Sequence, residues 1–430
     1  MKKVTAAVIG YGDRWSVYSN YAFTNPDELE IVAVVDINPY RLSLAKEKFH
    51  LRDEQLFDDF ESFLEQGKIA DAAFVTTIDS LHYYQAISLL KLGYNLLLEK
   101  PIVNDAKKLL EIQKLADEKH LIISVGHVLR YTPFYQTIKQ KILDGEIGNI
   151  IHIDTSEFVG IAHTSSAFAR GKWRNKDECQ STMLLQKCCH DLDLICWFNN
   201  STKPLKVASF GDRTNVIPAN APKDATDKCY DCPHLNDCIY SAKSLYVLND
   251  LFPAYSFLGL QKEDHSQLSE EEKINALKTN DPFGKCIYKT NANIVDHQSL
   301  ILMFENGSIA VHNMISFVPK PGRSIHIIGT NGEIQGFFES NKFEIRKQDF
   351  NSAFYKKEVI DITKLVDRKI NHGGGDLGLI KDFVRLLRGE KPSISTTNID
   401  DSIASHLCVY AADESMEKNK IINIKSEELL

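Results

Sequence analysis

The chain has 430 residues, of which 43% are hydrophobic and 25% charged, a composition typical of a globular protein long enough for two domains. Its formal net charge of −8 argues against non-specific binding to nucleic acid or to an anionic membrane. No apolar run approaches the length of a membrane span. Nine cysteines without a signal-peptide pattern predict a reducing, cytoplasmic environment, with thiols or metal ligands rather than disulfides.

The first predicted element is a buried strand at residues 3–9, which runs into a turn with Gly10 and Gly12 and then a helix. A strand, a Gly-x-Gly turn and a helix present backbone N–H groups to the pyrophosphate of a dinucleotide. Trp15 occupies the third glycine position of that fingerprint, so we expect the helix to pack less closely on the strand there. A plain tight turn is the alternative interpretation of so short a motif.

A second predicted strand, residues 30–36, ends in Asp36. An acidic residue about twenty residues beyond the glycines accepts hydrogen bonds from the adenosine ribose hydroxyls. Because a carboxylate there repels a 2′-phosphate, the sequence predicts NAD rather than NADP. Asp36 could instead cap the helix that begins near Pro39, and the two roles are compatible.

Strands and helices continue to alternate as far as residue 125. Predicted strands cover residues 71–77, 95–98 and 121–125, and predicted helices cover residues 80–92 and 105–119. This alternation predicts a doubly wound parallel sheet, in which ligands bind at the carboxyl ends of the strands. The residues at those ends are Gly10, Asp36, Thr76, Lys100 and Gly126-His127.

Several of these segments together resemble one known family: Gly10-x-Gly12, Asp36, Asp79-x-x-His82, Glu99-Lys100-Pro101 and Gly126-His127-x-x-Arg130. They are similar to the glucose–fructose oxidoreductase / inositol dehydrogenase / MocA (Gfo/Idh/MocA) family over nearly the whole chain. The resemblance implies an α/β protein with a Rossmann domain at residues 1–125. It also implies an α+β domain at residues 126–430, whose large, open, mostly antiparallel sheet often joins subunits. The cofactor contacts that it implies are Gly10, Gly12, Asp13, Arg14, Asp36, Thr76, His82, Glu99 and Lys100.

Residues 183–197 have helical spacing, so Lys187 and His190 project from one face. In the resembled family this helix carries the catalytic histidine in the pattern Asp-x-x-x-His-x-x-Asp. His190 and Asp193 fit the pattern, whereas Gln186 replaces the first Asp and Lys187 follows it directly. We therefore expect a second lysine in the pocket and no carboxylate partner for His190. A hydrogen-bonded, half-buried histidine without a catalytic role is the alternative.

The remaining second half gives shorter signals. Residues 150–159 and 323–328 predict strands, and residues 300–304 and 308–318 predict a hairpin around Asn306-Gly307. Three glycines at 373–375 precede a helix that runs to Leu387, and a last helix covers about residues 400–418. The candidate substrate contacts are His127, Arg130, Trp173, Arg174, Lys187 and His372.

A cysteine-rich insert is predicted at about residues 225–290. Cys229, Cys232 and Cys238 lie close together in it, and Cys286 follows after a polar segment. Cys-x-x-Cys turns suit tetrahedral zinc binding by thiolates, and four thiolates would stabilise an insert with little core of its own. His234 is a substitute ligand, an iron–sulfur cluster could use the same ligands, and free thiols are the remaining alternative.

Three functions are compatible with these features. The first is an NAD-dependent dehydrogenase of a sugar, cyclitol or related polyol, with His190 as general acid/base, Lys100 bonded to the reacting oxygen and Lys187 orienting the substrate. The second is an NAD-dependent glycoside-cleaving enzyme, which oxidises the sugar transiently, eliminates the glycosidic group and reduces the product again, as some relatives of the resembled family do. The third is an inactive binding or sensor protein, which Trp15 and Gln186 favour. We expect a carbohydrate substrate, a homo-oligomer (dimer or tetramer), and no nucleic-acid or membrane partner.

Overall fold

The computed structural model describes residues 3–257, 267–279, 282–351, 354–366 and 371–424, without the side chains of residues 13, 253, 254, 371 and 372. Its first sheet has six parallel strands, β1 (Val4–Ile9), β2 (Leu29–Val35), β3 (Leu56–Phe57), β4 (Ala72–Val75), β5 (Asn95–Leu98) and β6 (Ile123–Val125). The helices between them are α1 (Asp13–Thr24), α2 (Pro39–Phe49), α3 (Phe60–Leu64), α4 (Asp79–Lys91) and α5 (Ala106–Glu118).

The first sheet is buried on both faces because its strands are almost continuously apolar. Ala7 and Ile9 of β1 belong to one core cluster, and Ala6 and Val8 belong to another, since alternate side chains of a strand point to opposite faces. The strand order is β3-β2-β1-β4-β5-β6. The order therefore reverses between β1 and β4, which opens a crevice at their carboxyl ends. The predicted doubly wound parallel sheet is confirmed.

The second sheet has nine strands, β7 (Ile150–Gly160), β8 (Pro204–Asp212), β9 (His297–Phe304), β10 (Ile309–Val318), β11 (Gly322–Gly329), β12 (Gly332–Phe337), β13 (Lys342–Gln348), β14 (Tyr355–Asp361) and β15 (Ile422–Asn423). Its order is β14-β13-β12-β11-β7-β10-β9-β8-β15, and β7 and β10 form its one parallel pair among the described strands. The predicted hairpin and mostly antiparallel sheet are confirmed.

Helices cover one face of the second sheet. In β9, Leu300 and Leu302 are buried in the same cluster as Leu192, whereas Ile301 between them is 52% exposed. The remaining helices are α6 (Pro133–Leu143), α7 (Ile161–His163), α8 (Lys176–Cys179), α9 (Cys189–Phe198), α10 (Pro253–Ser256), α11 (Glu270–Lys278), α12 (Gly375–Leu387) and α13 (Ile399–Lys418). None of the helices in the described ranges is both long and apolar enough to cross a lipid bilayer.

Helix α12 returns to the first sheet although it lies near the end of the chain. Leu379 and Ile380 are buried in one cluster with residues of β1 and β2, and the ring of Phe383 lies 5.8 Å from that of Phe74 in β4. The C-terminal part of the chain therefore completes the first layer. The division between residues 125 and 126 stays a prediction.

Trp15 packs differently from the expectation based on the glycine fingerprint. Its indole is fully buried, with its ring 5.0 Å from that of Phe74 and 6.5 Å from that of Phe49. The indole therefore fills the space between α1 and the sheet, and the departure from glycine leaves no gap in the core.

The predicted homo-oligomer stays a prediction. The open face of the second sheet is the surface that we expect to form the subunit contact. Exposed apolar side chains on its strands include Ile151, Phe210, Ile301 and Ile309, and contiguous exposed apolar surface is typical of subunit contacts. We expect sedimentation velocity of the purified chain to return a multiple of the monomer mass. The monomer mass at micromolar concentration would contradict this prediction.

The turn after β1 requires glycine at one position and tolerates a side chain at the other. Gly10 has a φ of +93°, and an added Cβ would lie 2.8 Å from Thr77 Cγ2. We expect Gly10→Ala to lower the free energy of unfolding by about 1–3 kcal/mol through strain and this close contact. Gly12→Ala is the control, since its Cβ would meet nothing nearer than Arg41 Nη1 at 3.8 Å. Thermal unfolding without cofactor compares the two variants, and equal losses would contradict the prediction.

Candidate active site

The turn after β5 carries Lys100 and is held by hydrogen bonds on three sides. Lys100 Nζ donates to the carbonyl oxygen of Gln186 at 3.0 Å. His82 Nδ1 lies 2.8 Å from the carbonyl oxygen of Pro101, which can only accept. The Ile102 N–H donates to His406 Nε2 at 3.1 Å. These bonds fix the Lys100 side chain beside the helical segment that leads to His190.

Glu99, just before Lys100, lies at the centre of a buried charge network. Its carboxylate accepts hydrogen bonds from Arg14 Nε at 3.0 Å and from Tyr18 OH. Arg14 also donates to Asp376 at 2.7 Å. Burial opposes the charge of Glu99, but the positive charges of Arg14 and Lys100 outweigh it and lower the pKa of the carboxyl group. Arg14 and Glu99 thus have internal partners, which favours a positioning role over the predicted cofactor contact.

His190 lies in the first turn of α9, directly after a π-type turn over Leu184–Cys188, a feature that often occurs at functional sites. Its side chain is 9% exposed. The side-chain amide of Gln186, four residues before His190, donates to Asp79 Oδ2 at 2.7 Å and to Ser181 Oγ at 2.9 Å.

Two further histidines lie behind His190. The His127 ring is 5.7 Å from that of His190 and 5.6 Å from that of His406, edge to face in both cases. Burial, followed by the charges of Arg130 and Lys100, holds the pKa of His127 well below its usual range. Burial, followed by His127, lowers the pKa of His406 to about 3. Both rings are therefore neutral near pH 7, and His127 is too deeply buried for the predicted substrate contact without rearrangement.

Lys187 enters the site with a carboxylate partner that the sequence did not indicate. Its Nζ lies 3.1 Å from Glu157 Oε1. Arg323 Nε lies 2.7 Å from the other oxygen of Glu157 and 2.9 Å from Asp191 Oδ1. Glu157 of β7 and Arg323 of β11 are cross-strand neighbours. The sheet thus brings a carboxylate to Lys187, whereas the expectation that His190 has no carboxylate partner stays a prediction.

His163 and a cluster of aromatic side chains lie near Lys187 and Lys100. Burial and the positive charges of Lys187 and Lys100 lower the pKa of His163 to about 2. Its ring stacks on that of Phe252 at 5.1 Å and lies 5.8 Å from that of Phe168. Sequence reasoning missed His163, although its place just after β7 was the same strand-end signal that identified Lys100.

Trp173 extends this cluster. Its ring stacks on Phe168 at 6.0 Å and lies 6.3 Å from that of Tyr255. Phe252 and Tyr255 belong to the predicted insert. The insert therefore contacts His163 and Trp173 directly. This contact with the cluster is consistent with the predicted substrate role of Trp173.

Two predicted substrate contacts have other partners. Arg130 is 1% exposed and donates to both oxygens of Asp193, at 2.7 and 2.6 Å. Arg174 bonds Asn291 at 2.7 Å and Glu178 at 3.0 Å. These partners favour structural roles, since the guanidinium groups are already bonded within the protein. The predicted roles of Asp13 and His372 concern side chains outside the described part of the structure.

The turn between β1 and α1 has the features of a pyrophosphate site. Thr76 Oγ1 donates to the Gly10 carbonyl at 2.6 Å and holds the turn. Gly12 is the N-cap residue of α1 and has no side chain that could accept a hydrogen bond from the N–H groups of the first helical turn. Such a helix start binds anions.

Asp36 lies beside this turn with its carboxylate oriented by backbone groups. It accepts from the Tyr11 N–H at 2.7 Å and from the Asn38 N–H at 2.8 Å, and Arg41 Nη1 is 3.8 Å away. A carboxylate at this strand end fits the hydroxyls of an adenosine ribose. The glycine turn, the start of α1 and Asp36 together fit a dinucleotide, which would extend toward Lys100 along the same sheet edge. His82, bonded to Pro101, supports this edge from within.

Comparisons with known proteins agree with this geometry. Residues 4–127 match the family model described as "Oxidoreductase family, NAD-binding Rossmann fold", and residues 135–228 match the "GFO/IDH/MocA C-terminal domain". The chain is 25% identical over 371 residues to the protein named "Putative oxidoreductase YteT" of Bacillus subtilis (strain 168), with 82% of each chain covered. It is 24% identical over 213 residues to scyllo-inositol 2-dehydrogenase (NADP(+)) IolW of the same organism, covering 50% of this chain and 56% of that one.

Solved structures show the same architecture over the whole chain. An oxidoreductase from Agrobacterium radiobacter in complex with NAD+, L-tartaric acid and magnesium has a TM-score of 0.68 at 15% identity, with 100% of both chains covered. Myo-inositol 2-dehydrogenase from Lactobacillus plantarum has a TM-score of 0.65 at 17% identity, covering 99% of this chain and 100% of that one. At these identities the likeness concerns the fold. The two family models, matched in chain order on this fold, show that the chain belongs to the Gfo/Idh/MocA family of NAD-binding oxidoreductases.

Proposed function

We propose that the protein is an NAD-dependent dehydrogenase that transfers a hydride between the nicotinamide and a hydroxyl-bearing carbon of a sugar, cyclitol or sugar derivative. The observation that carries the proposal is the hydrogen bond from Lys100 Nζ to the Gln186 carbonyl. It holds an ammonium group one helical turn before His190, at the edge of the sheet that bears the dinucleotide features. A cation and a proton acceptor side by side are what oxidation of an alcohol requires.

His190 and Lys100 would divide the proton chemistry between them. In the oxidation, His190 accepts the proton of the substrate hydroxyl as general base. Lys100 donates a hydrogen bond to the same oxygen and stabilises the negative charge that develops on it. NAD, when bound, supplies the hydride acceptor. In the reverse direction, His190 returns the proton to the oxygen while Lys100 polarises the carbonyl group.

The remaining pocket residues would bind and orient the substrate. The positive charge of Lys187 is balanced by the Glu157 carboxylate at 3.1 Å. The pair can therefore donate hydrogen bonds to substrate hydroxyls and accept hydrogen bonds from them without an excess of charge. His163, neutral near pH 7, adds a further donor and acceptor. Trp173 and Phe168 provide apolar surface for the C–H face of a ring. The substrate class also rests on relatives named as inositol and UDP-N-acetylglucosamine dehydrogenases.

Replacing Lys100 tests the catalytic assignment. We expect Lys100→Met to lower kcat/KM by about a thousandfold or more, because the oxyanion loses its cationic donor, while the dissociation constant of NADH changes little. Lys107→Met, at an exposed position on α5, is the control and should retain full activity. NADH formation with a panel of sugars, cyclitols and sugar acids measures turnover, and NADH fluorescence measures binding.

Three results would contradict the proposed function. Undiminished turnover in Lys100→Met would remove Lys100 from the chemistry. Release of an aglycone without net NADH would indicate the glycoside-cleaving reaction instead. Normal NADH binding with no NADH formation across the panel would indicate a binding or sensor protein.

Asp36 is proposed to select NAD over NADP. Its carboxylate repels a 2′-phosphate, and Arg41, 3.8 Å away, would attract that phosphate once the carboxylate is removed. We expect Asp36→Ser to raise the ratio of NADPH to NADH affinity by about tenfold or more, which is about 1.4 kcal/mol. Asp27→Ser, at an exposed position before β2, is the control. Fluorescence titration with both cofactors measures the ratio, and an unchanged ratio would contradict this role. The relative IolW is named for NADP(+), so the preference varies among similar chains.

A further inference from the structure

The segment between β8 and β9, residues 213–296, brings four cysteines to one small cavity. Cys229, Cys232, Cys238 and Cys286 all line it, and its volume is about 20 Å³, which is room for one atom the size of a water oxygen. The family chemistry proposed above uses none of these cysteines. They are all free thiols, and they come from two stretches of the chain that are far apart in sequence.

Backbone hydrogen bonds explain how the four thiols come together. The Cys232 N–H donates to the Cys229 carbonyl at 3.1 Å, which closes a Cys-x-x-Cys turn. The Cys286 N–H donates to the Asp227 carbonyl at 2.8 Å, and Lys228 pairs with Lys285 in an antiparallel bridge. The bridge sets Cys286 opposite Cys229.

A buried arginine lies against this cluster with no carboxylate partner among the described residues. Arg170 is fully buried. Its Nη2 donates to Cys229 Sγ at 3.6 Å and to the Tyr240 carbonyl at 2.8 Å, and its Nε donates to the Lys285 carbonyl at 2.9 Å. A fully buried cation without a negative partner is costly. Negative charge in the cavity would offset this cost.

We propose that Cys229, Cys232, Cys238 and Cys286 bind a structural zinc ion as thiolates, with Arg170 as the buried counter-cation. Four thiolates and one Zn²⁺ carry a net charge of −2, which the guanidinium partly neutralises while it donates an N–H···S hydrogen bond. Zinc binding displaces four thiol protons to solvent. The cavity fits one ion, whereas an iron–sulfur cluster of several atoms needs more space.

His234 lines the same cavity but has other partners. Its Nε2 lies 2.8 Å from the Lys223 carbonyl, and its Nδ1 lies 3.6 Å from Asp237. The cysteines alone therefore form the ligand set.

Ion binding requires the cysteine side chains to move closer together. No three of these Sγ atoms lie mutually within 4.8 Å in the described structure, whereas Zn–S bonds of about 2.3 Å set tetrahedral sulfurs about 3.8 Å apart. Cys232 and Cys238 are partly exposed and can rotate toward the centre. Because thiols must lose their protons to bind zinc, the affinity for zinc should fall as the pH falls.

A second group of possible ligands does not suit a cation. Ligand atoms of Cys188, Asp191 and His312 lie within 4.8 Å of one another, but Arg323 Nε already donates to Asp191 at 2.9 Å. The guanidinium charge opposes a metal ion at that position.

The site would hold the insert against the rest of the protein. Cys229 belongs to a small core with Tyr246 and Phe257, and Ile161 and Ala162 of α7 pack against that core. Helix α7 also carries His163. A metal ion would therefore stabilise the insert where its own core is small.

Metal analysis of the full-length protein tests the proposal. We expect about one zinc per chain in protein purified without chelators or metal-affinity resins. The Cys232→Ser and Cys286→Ser variants should each retain less than about a tenth of that zinc. Cys179→Ser is the matched control, since Cys179 is also a partly exposed free thiol but lies outside the cavity. It should retain full zinc.

A spectroscopic measurement keeps the test decisive if a cysteine variant fails to fold. Wild-type protein stripped of metal and loaded with cobalt(II) should show the absorption bands of tetrahedral thiolate coordination, and zinc should abolish them. Absence of both stoichiometric metal and cobalt bands would overturn the proposal, as would stoichiometric iron with inorganic sulfide. None of these readouts depends on NAD or substrate, so the outcome is independent of the proposed dehydrogenase activity.

Discussion

The hydrogen bonds that fix the turn after β5 are the constraint on which the candidate site depends. Lys100, Pro101 and Ile102 are bonded to Gln186, His82 and His406 respectively. Each such bond contributes only about 1 kcal/mol net, but a buried group left without its partner costs about 1–3 kcal/mol. The turn therefore has one favourable position. Its hydrogen bonds connect the first sheet to the helices that cover the second sheet.

Charge pairing extends this constraint through the pocket. Glu99 is balanced by Arg14, and Glu157 is balanced by Lys187 and Arg323. Since a buried ion without a partner is strongly destabilising, these side chains hold one another in place. Within the described residues, the ammonium of Lys100 donates a hydrogen bond to a neutral carbonyl and forms no ion pair, so it retains the capacity to stabilise negative charge on a substrate oxygen. Arg170 lies buried against the insert, and the thiolates proposed there would balance its charge.

The two ends of the pocket come from different parts of the fold. The dinucleotide features lie at the carboxyl ends of parallel strands, where the sheet geometry by itself brings Gly10, Asp36 and Thr76 together. The proposed substrate side combines the end of β7, the helix that bears His190, and the insert, which contributes Phe252. In such an arrangement the regular sheet positions the cofactor features, while loops and the insert would shape the proposed substrate side.

The sequence alone determined the alternation of strands and helices and the strand-end positions of Gly10, Asp36 and Lys100, because periodicity and turn chemistry are local properties of the chain. It also indicated the His190 helix and the cysteine pattern. Only the tertiary structure decided which groups meet. His406 bonds Ile102 across 304 residues, Glu157 in β7 pairs with Lys187, and Arg130 pairs with Asp193. Such partners depend on how the two sheets and their helices pack. The sequence around a charged or polar side chain does not indicate which distant residue it will contact.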